Sequence, residues 1–124
     1  MILLIDNKRY TEQDFNALLA DFPDESSWQY QIGLFLSNWL DDKTYIEVKT
    51  SGSTGVPKVI RMPKQTMLAS ASMTNHFFGL SSESTALLCL PASYIAGKMM
   101  IVRAIIGGYT LTAVAPSANP FSHL

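Results

Sequence analysis

Apolar positions along the chain fall into runs of two kinds, some with the period of a strand and some with that of a helix. Met1–Ile5 is a short apolar run and predicts a strand. Thr11-Glu12-Gln13-Asp14 then sets a hydroxyl cap and early carboxylates where a helix dipole favours them. Phe15, Leu18 and Leu19 supply the apolar stripe of that helix, and Phe22-Pro23 ends it. A second helix is expected from Ser27 to Leu40, where Trp28, Ile32, Phe35, Leu36 and Trp39 recur at steps of three or four and form a core-facing stripe. Asp41-Asp42-Lys43 is a polar turn, and Thr44–Lys49 alternates apolar and polar as a strand does. A return strand over Val59–Met62 leads into a helix from Lys64 to Phe78, with Met67, Leu68, Ala71 and Phe78 as its expected buried face and Gly79 as its C-cap. Ala86–Leu90 is an apolar run stopped by Pro91, as expected of a buried strand in a parallel sheet. A helix over Gly97–Ile106, stopped by Gly107-Gly108, and a strand over Tyr109–Val114 follow.

This order predicts an α/β fold: a partial parallel or mixed sheet with flanking helices, the last strands paired in parallel through a right-handed crossover helix. Ligands in such sheets bind beyond the carboxyl ends of the strands, which points to the Leu90–Gly97 turn. Composition narrows the picture little further. Hydrophobic residues make up 48% of the 124 and charged residues 15%, which suits covered strands and helices or a piece of a larger core. A net charge of −1 offers no electrostatic case for nucleic acid or an anionic membrane. Cys89 is the single cysteine, so neither a disulfide within the chain nor a Cys/His metal cluster is expected, and a reduced, cytoplasmic setting fits. The apolar region near Met99–Ile106 is interrupted by Arg103 and is too short to span a bilayer. His76 and His123 stand isolated, with His76 expected on a helix surface or in a polar core contact.

The densest chemistry lies in Thr50-Ser51-Gly52-Ser53-Thr54-Gly55-Val56-Pro57-Lys58. Hydroxyls, two glycines and a lysine can offer a polyanion side-chain donors, backbone N–H groups and a positive charge. A Walker A loop is excluded by spacing, because Pro57 stands where its second glycine would be and a β-rich run, not a helix, follows Lys58. A Rossmann fingerprint lacks its third glycine. The motif reads as strand, loop, strand; its plainer reading is a solvated hairpin turn.

Across these nine positions the loop resembles the phosphate-binding motif of the adenylate-forming superfamily, which includes acyl-CoA synthetases, luciferases and peptide-synthetase adenylation domains. A second segment, Leu90-Pro91-Ala92-Ser93-Tyr94-Ile95-Ala96-Gly97-Lys98, is similar to that superfamily's next motif. There, Leu-Pro is followed by a turn, an aromatic residue and a glycine. Tyr94 stands where many members carry histidine. The short lead-in, together with the Ile-Ile-Gly-Gly-Tyr-Thr-Leu-Thr segment, looks most like the compact o-succinylbenzoate–CoA ligases of menaquinone synthesis.

The resemblance implies ATP-dependent activation of a small-molecule carboxylic acid through an acyl-adenylate, followed by thioester formation with coenzyme A, with Mg²⁺ accompanying ATP. It assigns Thr50, Ser51, Gly52, Ser53, Thr54, Gly55 and Lys58 to the phosphates, and Tyr94, Gly97 and Lys98 to the acyl-substrate pocket. Lys98 is a candidate partner for a second substrate carboxylate; its plainer reading is a solvated lysine at a helix start. Tyr94 is equally readable as a core aromatic. The adenine, Mg²⁺ and ribose contacts and the C-terminal catalytic lysine of the superfamily have no counterpart in the chain. It therefore reads as a fragment of an N-terminal AMP-binding domain, with residues 1–43 as lead-in and 44–124 as loop and βαβ core, inactive alone and prone to self-association through uncovered sheet faces. Another carboxylate-activating member of the superfamily, a non-catalytic nucleotide-binding module and a purely structural α/β domain remain open at this point.

Overall fold

The first strand of the chain pairs in parallel with the last, and that pairing organises the fold. The computed structural model describes residues 1–51 and 56–116. β1 (Ile2–Ile5) and β2 (Lys8–Tyr10) form an antiparallel hairpin; β1 also pairs in parallel with β6 (Thr110–Ala113), which pairs in parallel with β5 (Thr85–Leu88). The sheet order is β2-β1-β6-β5, mixed through its single antiparallel edge. A separate antiparallel pair, β3 (Tyr45–Ser51) and β4 (Pro57–Pro63), stands apart from it. The helices are α1 (Phe15–Asp21), preceded by a 3₁₀ turn at Glu12–Asp14, α2 (Trp28–Trp39), α3 (Lys64–Phe78) and α4 (Ile95–Gly107). The expected α/β class, the crossover helix and the parallel β5–β6 pairing are all present.

β2 has no counterpart among the sequence expectations. It exists because Asp6 and Asn7 both take positive φ, 49° and 67°, and close a two-residue turn between Ile5 and Lys8. Short polar side chains tolerate that left-handed region, and a turn of this twist matches paired strands. β1 is thus central in the sheet, so residues 1–43 contribute a core strand as well as two helices.

The core is one cluster. Leu3, Ile5, Leu111, Ala113 and Leu88 enter it from the sheet, Phe15, Leu18, Ile32, Phe35 and Leu36 from α1 and α2, and Ile101, Val102 and Ala104 from α4. Alternation leaves Ile2, Leu4, Thr110 and Thr112 only half-buried on the other face. Each helix stops where its local chemistry dictates. Ser27 Oγ accepts from the Tyr30 N–H at the start of α2. At the end of α3, Gly79 sits at φ 66°, Leu80 N–H donates to Asn75 C=O at 2.9 Å and Gly79 N–H to His76 C=O at 3.2 Å, the Schellman arrangement.

The inner face of α3 differs from expectation. Met67 and Ala71 are buried, but Leu68 and Phe78 are exposed, and Asn75 is buried in their stead. Residues 67, 71 and 75 lie along one line of the helix, whereas Leu68 is turned about 100° away from it. Phe78 lies in the last turn and packs edge-on against Phe77, ring centroids 5.0 Å apart. Asn75 earns its buried place by hydrogen bonding: its Nδ2 donates to Arg103 C=O at 2.9 Å and its Oδ1 accepts from the Tyr109 hydroxyl at 3.4 Å. The strand before Pro91 ends at Leu88, leaving Cys89 half-buried beyond it and Leu90 exposed. His76 is on the exposed surface of α3.

Replacing Asn75 by Ala leaves the Tyr109 hydroxyl and the Arg103 carbonyl without their partner. Urea denaturation is expected to show a loss of about 1–3 kcal/mol for Asn75→Ala, whereas an exposed change on the same helix, Ser72→Ala, leaves stability nearly unchanged.

Candidate active site

The nine-residue motif begins in β3 and ends in β4. Their register pairs Lys49 with Val59, Thr50 with Lys58 and Ser51 with Pro57, so Thr50 and Lys58 stand opposite each other at the hairpin's end. Gly52, Ser53, Thr54 and Gly55 lie outside the described residues. Ile46 and Val48 anchor the hairpin in the core. Arg61 lies 4.0 Å from the Glu47 carboxylate, with its guanidinium 4.5 Å from the Tyr45 ring centroid. At the hairpin's base Lys64 N–H donates to Thr44 C=O at 2.8 Å, and Lys64 Nζ donates to Asp41 Oδ1 at 2.9 Å. The hydrogen bond from Lys64 holds the Asp41 carboxyl below the usual carboxylate range. The base is therefore tied to both α2's exit and α3's entry.

The second motif forms the turn between β5 and α4, at the carboxyl end of a parallel strand. Tyr94 N–H donates to Pro91 C=O at 3.2 Å, and Lys98 N–H to Tyr94 C=O at 3.0 Å. Gly97 is needed for close approach. A Cβ built there would lie 2.2 Å from the Pro91 carbonyl oxygen and 2.7 Å from its carbon, a separation no side chain can occupy. Lys98 is not a solvated helix-start lysine. It is only 9% exposed; its Nζ donates to Ala92 C=O at 2.7 Å and lies 5.7 Å from the Phe35 ring centroid. Burial pulls its pKa down from the usual 10.5 to about 8.

Hairpin and turn meet at a cleft of about 270 Å³ lined by Phe35, Asn38, Lys49, Val59, Ser93 and Lys98, among others. Lys49 and Val59 are the pair directly before Thr50 and Lys58, so the cleft lies next to the start of the motif. Of the residues expected in an acyl pocket, Lys98 lines this cleft. Gly97 is buried beneath the turn, and Tyr94 is 61% exposed and does not line it. Sequence reasoning missed the wall supplied by α2, where Gln31, Leu34, Phe35 and Asn38 face the cleft. Phe35 was legible only as part of an apolar stripe, and nothing in the spacing of Gln31 and Asn38 marks them out. A larger hollow of about 730 Å³, at the ends of β1 and β6, contains none of the motif residues.

Among the described residues no three His, Cys, Asp or Glu side chains cluster to hold a metal ion. The donors that the motif supplies are hydroxyls, backbone N–H groups and Lys58, a set that fits phosphate oxygens.

No family model matches the chain. It is 36% identical over 69 residues to a probable 2-succinylbenzoate–CoA ligase of Mycobacterium tuberculosis, a match across 56% of this chain and 18% of that protein. It is 24% identical over 119 residues to the human beta-alanine-activating enzyme, across 95% of this chain and 10% of that one. In structure it resembles an acyl-CoA synthetase (AMP-forming)/AMP-acid ligase II-like protein from Dyadobacter fermentans, with a TM-score of 0.74 and 38% sequence identity over 81% of this chain and 29% of that chain. The chain thus spans under a third of the length of each of these proteins. Its relatives in sequence and in structure are AMP-forming acyl-CoA synthetases, the group that the two motifs resemble.

Two outcomes follow from the turn. Gly97→Ala forces the Pro91 peptide to move, and thermal or urea denaturation is expected to show a loss of at least about 2 kcal/mol. Lys98 has a folded pKa below its unfolded one, so between about 8 and 10.5 the unfolded chain holds a proton that the folded chain has released. Wild type should therefore gain stability relative to Lys98→Met as pH rises through that window, and the difference should be flat below it. Paired urea titrations at about pH 7 and about pH 10 measure the change.

Proposed function

We propose that the chain supplies the phosphate-binding hairpin and one wall of the acyl pocket in an ATP-dependent acid–CoA ligase. The acid is proposed to be an aromatic dicarboxylate of the 2-succinylbenzoate kind, the substrate named for the M. tuberculosis relative. One observation carries this reading: the second motif lines a cleft with Ala92, Ser93 and Lys98, and the residues that flank the first motif on either side, Lys49 and Val59, line the same cleft. A solvated hairpin with no ligand would have no reason to share a cleft with the second motif.

In this reading a substrate carboxylate oxygen attacks the α-phosphorus of ATP, and the bond to pyrophosphate breaks. The thiol of coenzyme A then attacks the acyl carbon of the acyl-adenylate; AMP leaves and the thiol proton is lost to solvent. The first step moves negative charge onto pyrophosphate. Ser53, Thr54 and Lys58 are the groups assigned to hold that charge, with the backbone N–H groups of Gly52 and Gly55 beside them. Mg²⁺, bound with the nucleotide, would neutralise phosphate charge and orient the leaving group. The hairpin's part is positional. Its ladder, its buried Ile46 and Val48 and the Lys64–Asp41 tie hold the two strands that lead into and out of the motif. The Leu90–Lys98 turn closes the opposite side, where the acid would lie.

ATP–pyrophosphate exchange by the full gene product with 2-succinylbenzoate tests the reading. Lys58→Ala is expected to lower kcat/KM for ATP by about a hundredfold or more while leaving stability within about 0.5 kcal/mol. Exchange that is unaffected by Lys58→Ala and by the combined Ser53→Ala, Thr54→Ala change would remove the loop from the mechanism.

A further inference from the structure

Lys98 presents a physical problem that the proposed reaction leaves unsolved. An ammonium group is held 9% exposed, yet among the described residues it donates to a backbone carbonyl, not a carboxylate. Burying a charge without a counter-charge is costly, so such a group persists where its hydrogen bond performs a task that a neutral side chain could not. The charged groups that face the same cleft belong to β3: Glu47, which is 4.0 Å from Arg61, and Lys49. α2 contributes only Gln31, Asn38 and apolar side chains, and the turn contributes Ser93.

The turn shows what the task is. Gly97 and Lys98 act on adjacent peptides from the same helical start. Gly97 lets the Pro91 carbonyl lie against α4, and Lys98 draws the Ala92 carbonyl inward at 2.7 Å. Together with the Tyr94 N–H bond to Pro91 and the Lys98 N–H bond to Tyr94, this ties the Ala92–Tyr94 turn to the start of α4. Ser93, next in sequence to the clamped carbonyl, lines the cleft. Phe35 lies over the ammonium on its other side and links the turn to α2.

We infer that Lys98 is a positioning residue for the acyl substrate: by clamping the Ala92 carbonyl with an ammonium that also lies against the Phe35 ring, it holds the Ala92–Tyr94 turn as a rigid wall of the cleft. This rests on the ligase reading for its kinetic consequence, but not for the clamp itself. It also departs from a direct ion pair between Lys98 and a second substrate carboxylate, because the ammonium is already engaged with the protein's own backbone.

The test compares wild type, Lys98→Met and Lys98→Arg in the full gene product. Met keeps an unbranched apolar side chain of similar length, so the core stays filled. Amide hydrogen exchange is read at Tyr94, inside the turn, and at Leu80, whose N–H is bonded to Asn75 in a distant helix cap. Lys98→Met should speed exchange at Tyr94 at least tenfold and leave Leu80 unchanged, and Lys98→Arg should restore part of the protection. KM for the acid should rise about tenfold in Lys98→Met with KM for ATP unchanged, and equally for mono- and dicarboxylic acids. Unchanged exchange at Tyr94, or parallel loss at Leu80, overturns the clamp. A KM effect confined to acids with a second carboxylate overturns it in favour of a direct ion pair. Should wild type form no acyl-adenylate from any acid, the ligase reading fails while the exchange data still decide the clamp.

Discussion

Parallel pairing between β1 and β6 is the constraint on which the rest depends. It brings residues 2–5 against residues 110–113, so almost the whole described chain must be accommodated within one long excursion between two neighbouring strands. A parallel pair cannot be closed by a tight turn, and the intervening chain has to cover the sheet it leaves. α4 does so directly as the β5–β6 crossover, packing on both strands, and α3 packs on α4. Because β1, β5 and β6 run the same way, their carboxyl ends share one edge, and the turn after β5 emerges there with the Leu-Pro motif. The location of the candidate site is thus a consequence of strand direction.

At that edge, precision comes from backbone groups held at short range. Gly97 and Lys98 are consecutive residues with opposite devices, one an absence of side chain and the other a long side chain folded back onto the turn. The first removes a steric obstacle and the second adds a charged donor. Burying that donor depresses its pKa toward neutrality, which makes it the most perturbed lysine among the described residues. Perturbation of this kind gathers at functional sites, and here a structural cause accounts for it fully.

The hairpin solves a different problem. In the proposed function a phosphate loop needs hydroxyls and N–H groups at the end of something stiff, and β3 and β4 form a seven-residue antiparallel ladder. It is not part of the main sheet, so its orientation depends on its two buried residues and on the Lys64–Asp41 pair at its base. Such a partly exposed pair contributes little stability in itself. Its use is to fix where the ladder begins relative to α2 and α3.

The fold's local pieces were legible in the residues. Spacing of Trp28, Ile32, Phe35, Leu36 and Trp39 defined α2, Gly79 ended α3 where a left-handed cap was needed, and the two motifs stood out by composition and spacing. These features are short-range: a period, a cap or a loop composition is decided within a few residues. What escaped was set by contact. The positive φ of Asp6 and Asn7 and the β1–β2 pairing occur together, and neither stands out in the local pattern. Asn75 was buried, and Leu68 and Phe78 were not, because α4 determined which line of α3 faced inward. α2 became a wall of the cleft, and Lys98 changed from a surface charge to a buried clamp, because Phe35 and the Ala92 carbonyl were brought beside it from distant positions. Sequence by itself determined which groups are available and where the elements start and stop, since those follow from local backbone and side-chain chemistry. Tertiary structure alone decided which carbonyl a lysine meets and which faces of two helices are inside, since those depend on packing among segments far apart in the chain.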